Sequence, residues 1–162
     1  MSSYASQYPP SIDFDPAYKK FFESFYAASD TPGAKAHDEY TKYFTQDATL
    51  IMASKHVGGR AEIKSLREAM WEKVASRAHE PVKIFPFGPN ADEVMLYGTV
   101  RYGLKAGGKS SKDWAARAQL VKDEDGSVKL KFYQVYLVRQ STPIRVSACG
   151  VAADDLIQDA SA

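Results

Sequence analysis

The chain has 162 residues, the size of one ordinary domain able to bury a single core without disulfide or metal staples. Its 21 basic and 20 acidic residues leave a formal net charge of +1, which supplies no electrostatic footprint for nucleic acid or an anionic membrane. One cysteine, Cys149, excludes an internal disulfide and any multi-cysteine metal site, while ten Tyr and eight Phe predict an interior lined by rings.

Residues 1–14 lack a basic n-region and an apolar h-region, so they read as a flexible arm and not as a secretion signal. No stretch approaches the ~20 apolar residues of a membrane span, and a cytoplasmic, reduced setting is the expectation. "DPAYKKFFESFYAAS" then opens a helix: Asp15 can cap the first turn, Pro16 suits the first helical position, and Tyr18, Phe21, Phe22 and Phe25 form a stripe. A second helix is expected to start at Thr31 and Pro32 and to run through "AKAHDEYTKYF", with His37, Tyr40 and Phe44 on one face. A short strand follows around Thr49 to Met52. "GGRAEIKSLREAMWEKVASRAH" is the clearest helix, with Ile63, Leu66, Met70 and Val74 on its buried side and an end near Arg77 and Ala78, ahead of Pro81.

Beyond Pro81 the period changes. "VKIFPFG", "EVMLYGTVRYGLK", "KDWAARAQLVK" and "SVKLKFYQVYLVR" are strand candidates separated by the turn chemistry of "PNAD", "AGGKSS" and "DEDG". Hairpin-connected neighbours pair antiparallel. Helices preceding such a meander can pack on its concave face, which predicts an α+β domain over residues 15–140 with a cavity between the layers. Residues 141–162 form an extension with a short helix expected over 154–160.

The run "YTKYFTQDATLIM…VGGRAEIKSLREAMWEKV…VMLYGTVRYGL…DWAARAQLV…GSVKLKFYQVYL" resembles the SnoaL-like branch of the NTF2-like superfamily. The resemblance implies a cone-shaped curved antiparallel sheet closed by three helices, often dimeric through the sheet. It implies no cofactor, and a pocket for a hydrophobic small molecule. Relatives include polyketide cyclases, scytalone dehydratases and ketosteroid isomerases besides non-catalytic binding domains, so the fold leaves the reaction open. His79 falls where scytalone dehydratases carry a catalytic histidine, and Asp30 resembles the aspartate of the same loop. Arg117 and Gln119 lie on the strand where that family aims polar groups at its ligand. The chain departs from the pattern twice: "VMLYGTVRYGL" contains no second histidine, and the tyrosine of the first short strand is replaced by an aliphatic stretch ending in Met52.

From the residues themselves, His79 is either a general base in the interior or a helix C-terminal histidine held by the dipole. Strand alternation puts Arg117 and Gln119 on one face and Trp114 on the other, and either face can be the inner one. Gln134 and Tyr136 form a polar pair with Phe132, whereas Tyr133 sides with Val135 and Leu137. Tyr97 and Tyr102 occupy opposite faces, so one of them sees the pocket, and Tyr97 is the candidate. His37 is a satisfied core histidine or a ligand-facing one. The three histidines lack metal-ligand spacing. Two functions are consistent with this: a cofactor-independent cyclase, dehydratase or isomerase using His79 and Asp30, or a small-molecule-binding or dimeric interaction module.

Overall fold

The computed structural model describes residues 4–137. Asp15 caps α1 (Pro16–Asp30), its carboxylate accepting from the Ala17 N–H at 2.8 Å. The helix turns Phe21, Phe22, Phe25, Tyr26 and Ser29 inward. Thr31, expected to open the second helix, closes the first: its Oγ1 donates to the Ala27 carbonyl at 2.8 Å. α2 (Ala34–Thr41) starts instead after Gly33, whose φ of 101° is a conformation glycine adopts without strain.

β1 (Phe44–Met52) and β2 (Lys55–Gly58) form a hairpin that leads into α3 (Gly59–Trp71). The chain leaves α3 six residues before Arg77 and enters β3 (Val74–Pro86), followed by β4 (Glu93–Leu104), β5 (Lys109–Lys122) and β6 (Val128–Leu137). Val74 does continue the helical spacing set by Met70. The segment nevertheless pairs with β4 from Val74↔Leu104 to Pro86↔Val94, and that long-range ladder overrides the local pattern. His79 therefore sits within a strand and not at a helix end.

The sheet order is β2-β1-β6-β5-β4-β3. The four-strand meander is antiparallel as expected, but β1 pairs with β6 in parallel, so the sheet is mixed. These two strands meet only after the chain has crossed through α3 and the meander, a connection long enough for parallel pairing. The inner face carries Val94, Leu96, Val100, Trp114, Ala116, Ala118, Leu120 and Tyr133 against the aromatic stripe of α1. Phe25 stacks on Phe21 at 5.9 Å and meets Tyr133 edge-on at 5.3 Å. Gly98 lets Trp114 lie on β4: a Cβ there would stand 2.3 Å from the Glu80 carbonyl oxygen and 2.9 Å from Trp114 Cζ2.

Ahead of α1, Gln7 bridges to β3, its N–H donating to the Val82 carbonyl at 2.9 Å and its carbonyl accepting from the Ile84 N–H at 3.0 Å. Phe14, 2% exposed, stacks with Tyr8 at 5.5 Å. Cys149, the extension from residue 141 and the helix expected over 154–160 lie outside the described residues. No helix among the described residues is long and apolar enough to cross a membrane.

Candidate active site

The site begins at the end of α1. Asp30 is the helix's last residue, where the negative end of the dipole disfavours a carboxylate. Two arginines gather there. Arg67 of α3, 3% exposed, donates to the carbonyls of Ala28, Ser29 and Thr31 at 3.0, 3.0 and 2.7 Å. Those are carbonyls a helix terminus leaves without internal partners. Arg77 of β3, 8% exposed, donates to the Ser29 carbonyl, and its Nε lies 3.5 Å from Asp30 Oδ1.

The carboxylate so placed grips His79 twice. The His79 backbone N–H donates to Asp30 Oδ2 at 2.6 Å, and the ring Nδ1 lies 2.5 Å from Oδ1. An ionised carboxylate can only accept, so Nδ1 carries the proton and the neutral ring keeps its lone pair on Nε2. Nε2 makes no hydrogen bond with any of the described residues. Burial holds the His79 pKa below the usual histidine value, and the Arg77 and Arg67 charges reinforce this against the pull of Asp30. His79 is thus a neutral base near pH 7.

His79 lines a cavity of about 30 Å³, space for roughly two water molecules. Tyr26 and Tyr133 meet in its wall, hydroxyl to hydroxyl, at 3.0 Å. Burial pushes both phenols well above their ordinary pKa, so they remain neutral hydrogen-bond donors. The Tyr26 ring lies 5.3 Å from the imidazole and 5.5 Å from the Trp114 indole. Tyr102, Met52 and Met70 also line it.

The structure brings His79 and Asp30 together and places Trp114 in the cavity wall. The six other candidates lie elsewhere. On β5 the buried row Trp114, Ala116, Ala118 and Leu120 makes that parity the inner one. Arg117 and Gln119 consequently lie on the outer face, where Arg117 Nε donates to Glu93 at 2.8 Å and the guanidinium covers Phe132 at 4.9 Å. Gln134 and Tyr136 are on the outer face of β6, opposite the buried Tyr133 and Val135. Tyr97 is also outward, stacked on Phe85 at 6.1 Å, and Tyr102 is the tyrosine of β4 that reaches the cavity. His37 is buried away from it and accepts from Arg67 Nε at 3.1 Å. Arg77, Tyr26 and Tyr133 join the site without a signal in the sequence. Arg77 shares a face with His79 only if the segment is a strand, and the aliphatic neighbours of Tyr133, Val135 and Leu137, give it the pattern of a packing residue. Among the described residues no group of three or more His, Cys, Asp or Glu could hold a metal ion.

The fold is the NTF2-like α+β cone: three helices on a six-stranded mixed sheet that does not close. A protein assigned as an aromatic-ring hydroxylase from Novosphingobium aromaticivorans superposes with a TM-score of 0.67 at 18% identity, covering 76% of this chain and 87% of that one. A protein assigned as a scytalone dehydratase from the same organism gives 0.66 at 15% identity, covering 76% and 83%. Nuclear transport factor 2 from Cryptosporidium parvum gives 0.62 at 15% identity, covering 79% and 100%. No family model and no curated protein sequence matches the chain. Likeness at these identities carries the fold and leaves the activity to be argued from the cavity.

Proposed function

We propose that the cavity is a cofactor-independent acid–base site that dehydrates, isomerises or cyclises a small, hydrophobic, oxygenated molecule. The observation that carries this reading is the double hold of Asp30 on His79, which leaves Nε2 as a neutral, unengaged base in an aromatic-lined cavity. In the reaction, Nε2 takes a proton from carbon next to a carbonyl, and Asp30 stabilises the imidazolium that results. A hydroxyl of the Tyr26–Tyr133 pair donates to the oxygen on which charge develops. The imidazolium then returns its proton to a departing hydroxyl, releasing water, or to another carbon of the same molecule. Met52 and Met70 are flexible thioether side chains whose rotation would enlarge the cavity for a complete substrate.

The test uses a panel of cyclic β-hydroxyketones, with elimination followed by the absorbance of the enone. His79→Gln should lower turnover by about 100-fold and Asp30→Asn by about tenfold or more, with unchanged circular dichroism. A folded His79→Gln protein with wild-type turnover would remove His79 from the mechanism.

The small volume of the cavity, about 30 Å³, favours a second reading, that of a binding or interaction module. Tight binding across the panel without turnover would support it. Either reading includes a homodimer through the outer sheet face, where Phe85, Met95, Tyr97 and Tyr136 are 43%, 45%, 40% and 44% exposed.

A further inference from the structure

The polar wall of the cavity is unbalanced toward donors. Trp114 Nε1 is buried without a hydrogen-bond partner, and Arg77 Nε faces only Asp30 Oδ1, at 3.5 Å and without a hydrogen bond, in side chains 3% and 8% exposed. The Tyr26 and Tyr133 hydroxyls share one hydrogen bond, so one of their two protons remains to be given. On the acceptor side, Asp30 already receives the backbone and ring N–H groups of His79 and a hydrogen bond from Tyr4, so His79 Nε2 is the nitrogen acceptor that stays open. Charge leans the same way. The buried guanidiniums of Arg67 and Arg77 face one carboxylate, Asp30, and the end of α1, which contributes roughly half a negative charge.

A second hollow, of about 510 Å³, shares the side chain of Met70 as a wall with this cavity. Ala69, Val74 and Leu104 make it apolar, and Lys55 and Lys105 line it beside Glu72. Its volume matches the body of a small organic ligand.

From this juxtaposition we infer that the site takes an apolar carboxylate, its head group held by Arg77 Nε and Trp114 Nε1 and its body lying past Met70 in the lysine-lined hollow. A carboxylate supplies the acceptors and the negative charge that the cavity lacks. An alcohol or an amine of the same shape would add a further donor to a wall already short of acceptors. The inference deepens the acid–base reading by naming the substrate class, and rests on it only for what happens beside His79 Nε2.

Binding is therefore tested apart from turnover, on the full chain, with 2-naphthoate and its neutral isostere 2-naphthamide as probes. The indole N–H signals of the two tryptophans, Trp71 and Trp114, report by nuclear magnetic resonance, with Trp114→Phe assigning the second. Naphthoate should move the Trp114 signal and bind about tenfold or more tighter than the amide. Arg77→Gln should erase that preference. Equal affinities, or a Trp114 signal that naphthoate leaves in place, would overturn the inference. Should Arg77→Gln fail to fold, Trp114→Phe carries the test alone, and naphthoate affinity unchanged in it overturns the inference equally. His79→Gln separates the two readings. A naphthoate preference that survives in it, with no turnover by the wild type on any probe, leaves the carboxylate subsite standing and the acid–base reading fallen.

Discussion

A histidine gripped by a carboxylate ordinarily holds its proton more tightly, yet burial and the Arg77 and Arg67 charges leave His79 below the usual value. The consequence for stability has a definite sign. Above about pH 6.5 the ring is neutral in both the folded and the unfolded chain, and its contribution is fully present. As the pH falls below that point the unfolded chain binds a proton that the folded chain refuses, so stability is lost down to the folded pKa. His37 has the same direction, from burial and the Arg67 charge, and adds a slope of the same sign. Denaturant unfolding at pH 7.5 and 5.5 should therefore show the wild type losing stability on acidification. His79→Gln should lose less, keeping the part due to His37. An identical loss in both proteins would mean that His79 is protonated in the fold.

Among the elements, the end of α1 depends on a residue that arrives from α3. Arg67 satisfies three carbonyls and offsets Asp30, so Arg67→Met leaves a buried carboxylate and open carbonyls behind. The expected loss is about 2–4 kcal/mol by denaturant titration. Arg101, which pairs with Glu80 at 2.9 Å on the exposed side of the sheet, is the contrast: Arg101→Ala should change stability by about 1 kcal/mol or less. If the two substitutions cost the same, the arginine of α3 is not what holds the helix end. The same elements show what the sequence makes legible. Aromatic spacing and Asp15–Pro16 announce α1, and turn chemistry separates the strands of the meander. Period-two alternation correctly splits Trp114 from Arg117 and Tyr133 from Gln134. It cannot say which half faces the helices, because that depends on the partner packed against the sheet. The inner face of β5 is apolar apart from the Trp114 N–H, and the rest of the chemistry comes from β3, α1 and Tyr133. Asp30 and His79, 49 positions apart, were found through resemblance to a family; nothing in the spacing announces their contact.

At the scale of the molecule, the sheet separates two surfaces with different demands. Its inner face is filled by aromatics around one small cavity, and the backbone of Gln7 pairs with its β3 edge between Val82 and Ile84. The outer face has no cover among the described residues. Phe85, Met95, Arg117 and Gln134 follow one another across four strands in register, and Tyr97, Ala115 and Tyr136 make a second row beside them. Arg117 sits in the middle of this surface with its charge already paired to Glu93, so a second copy can bury it without leaving a lone cation. Sedimentation should accordingly find a dimer, and Met95→Glu with Tyr136→Glu should give a folded monomer by placing like charges face to face across the interface. Because those positions lie on the far side of the sheet, the Trp114 indole signal and its response to naphthoate should persist in that monomer. A wild-type chain that sediments as a monomer at every concentration would leave this face without a role. A monomeric variant that loses the naphthoate response would instead mean that pairing holds the inner face in shape, tying the cavity to the dimer.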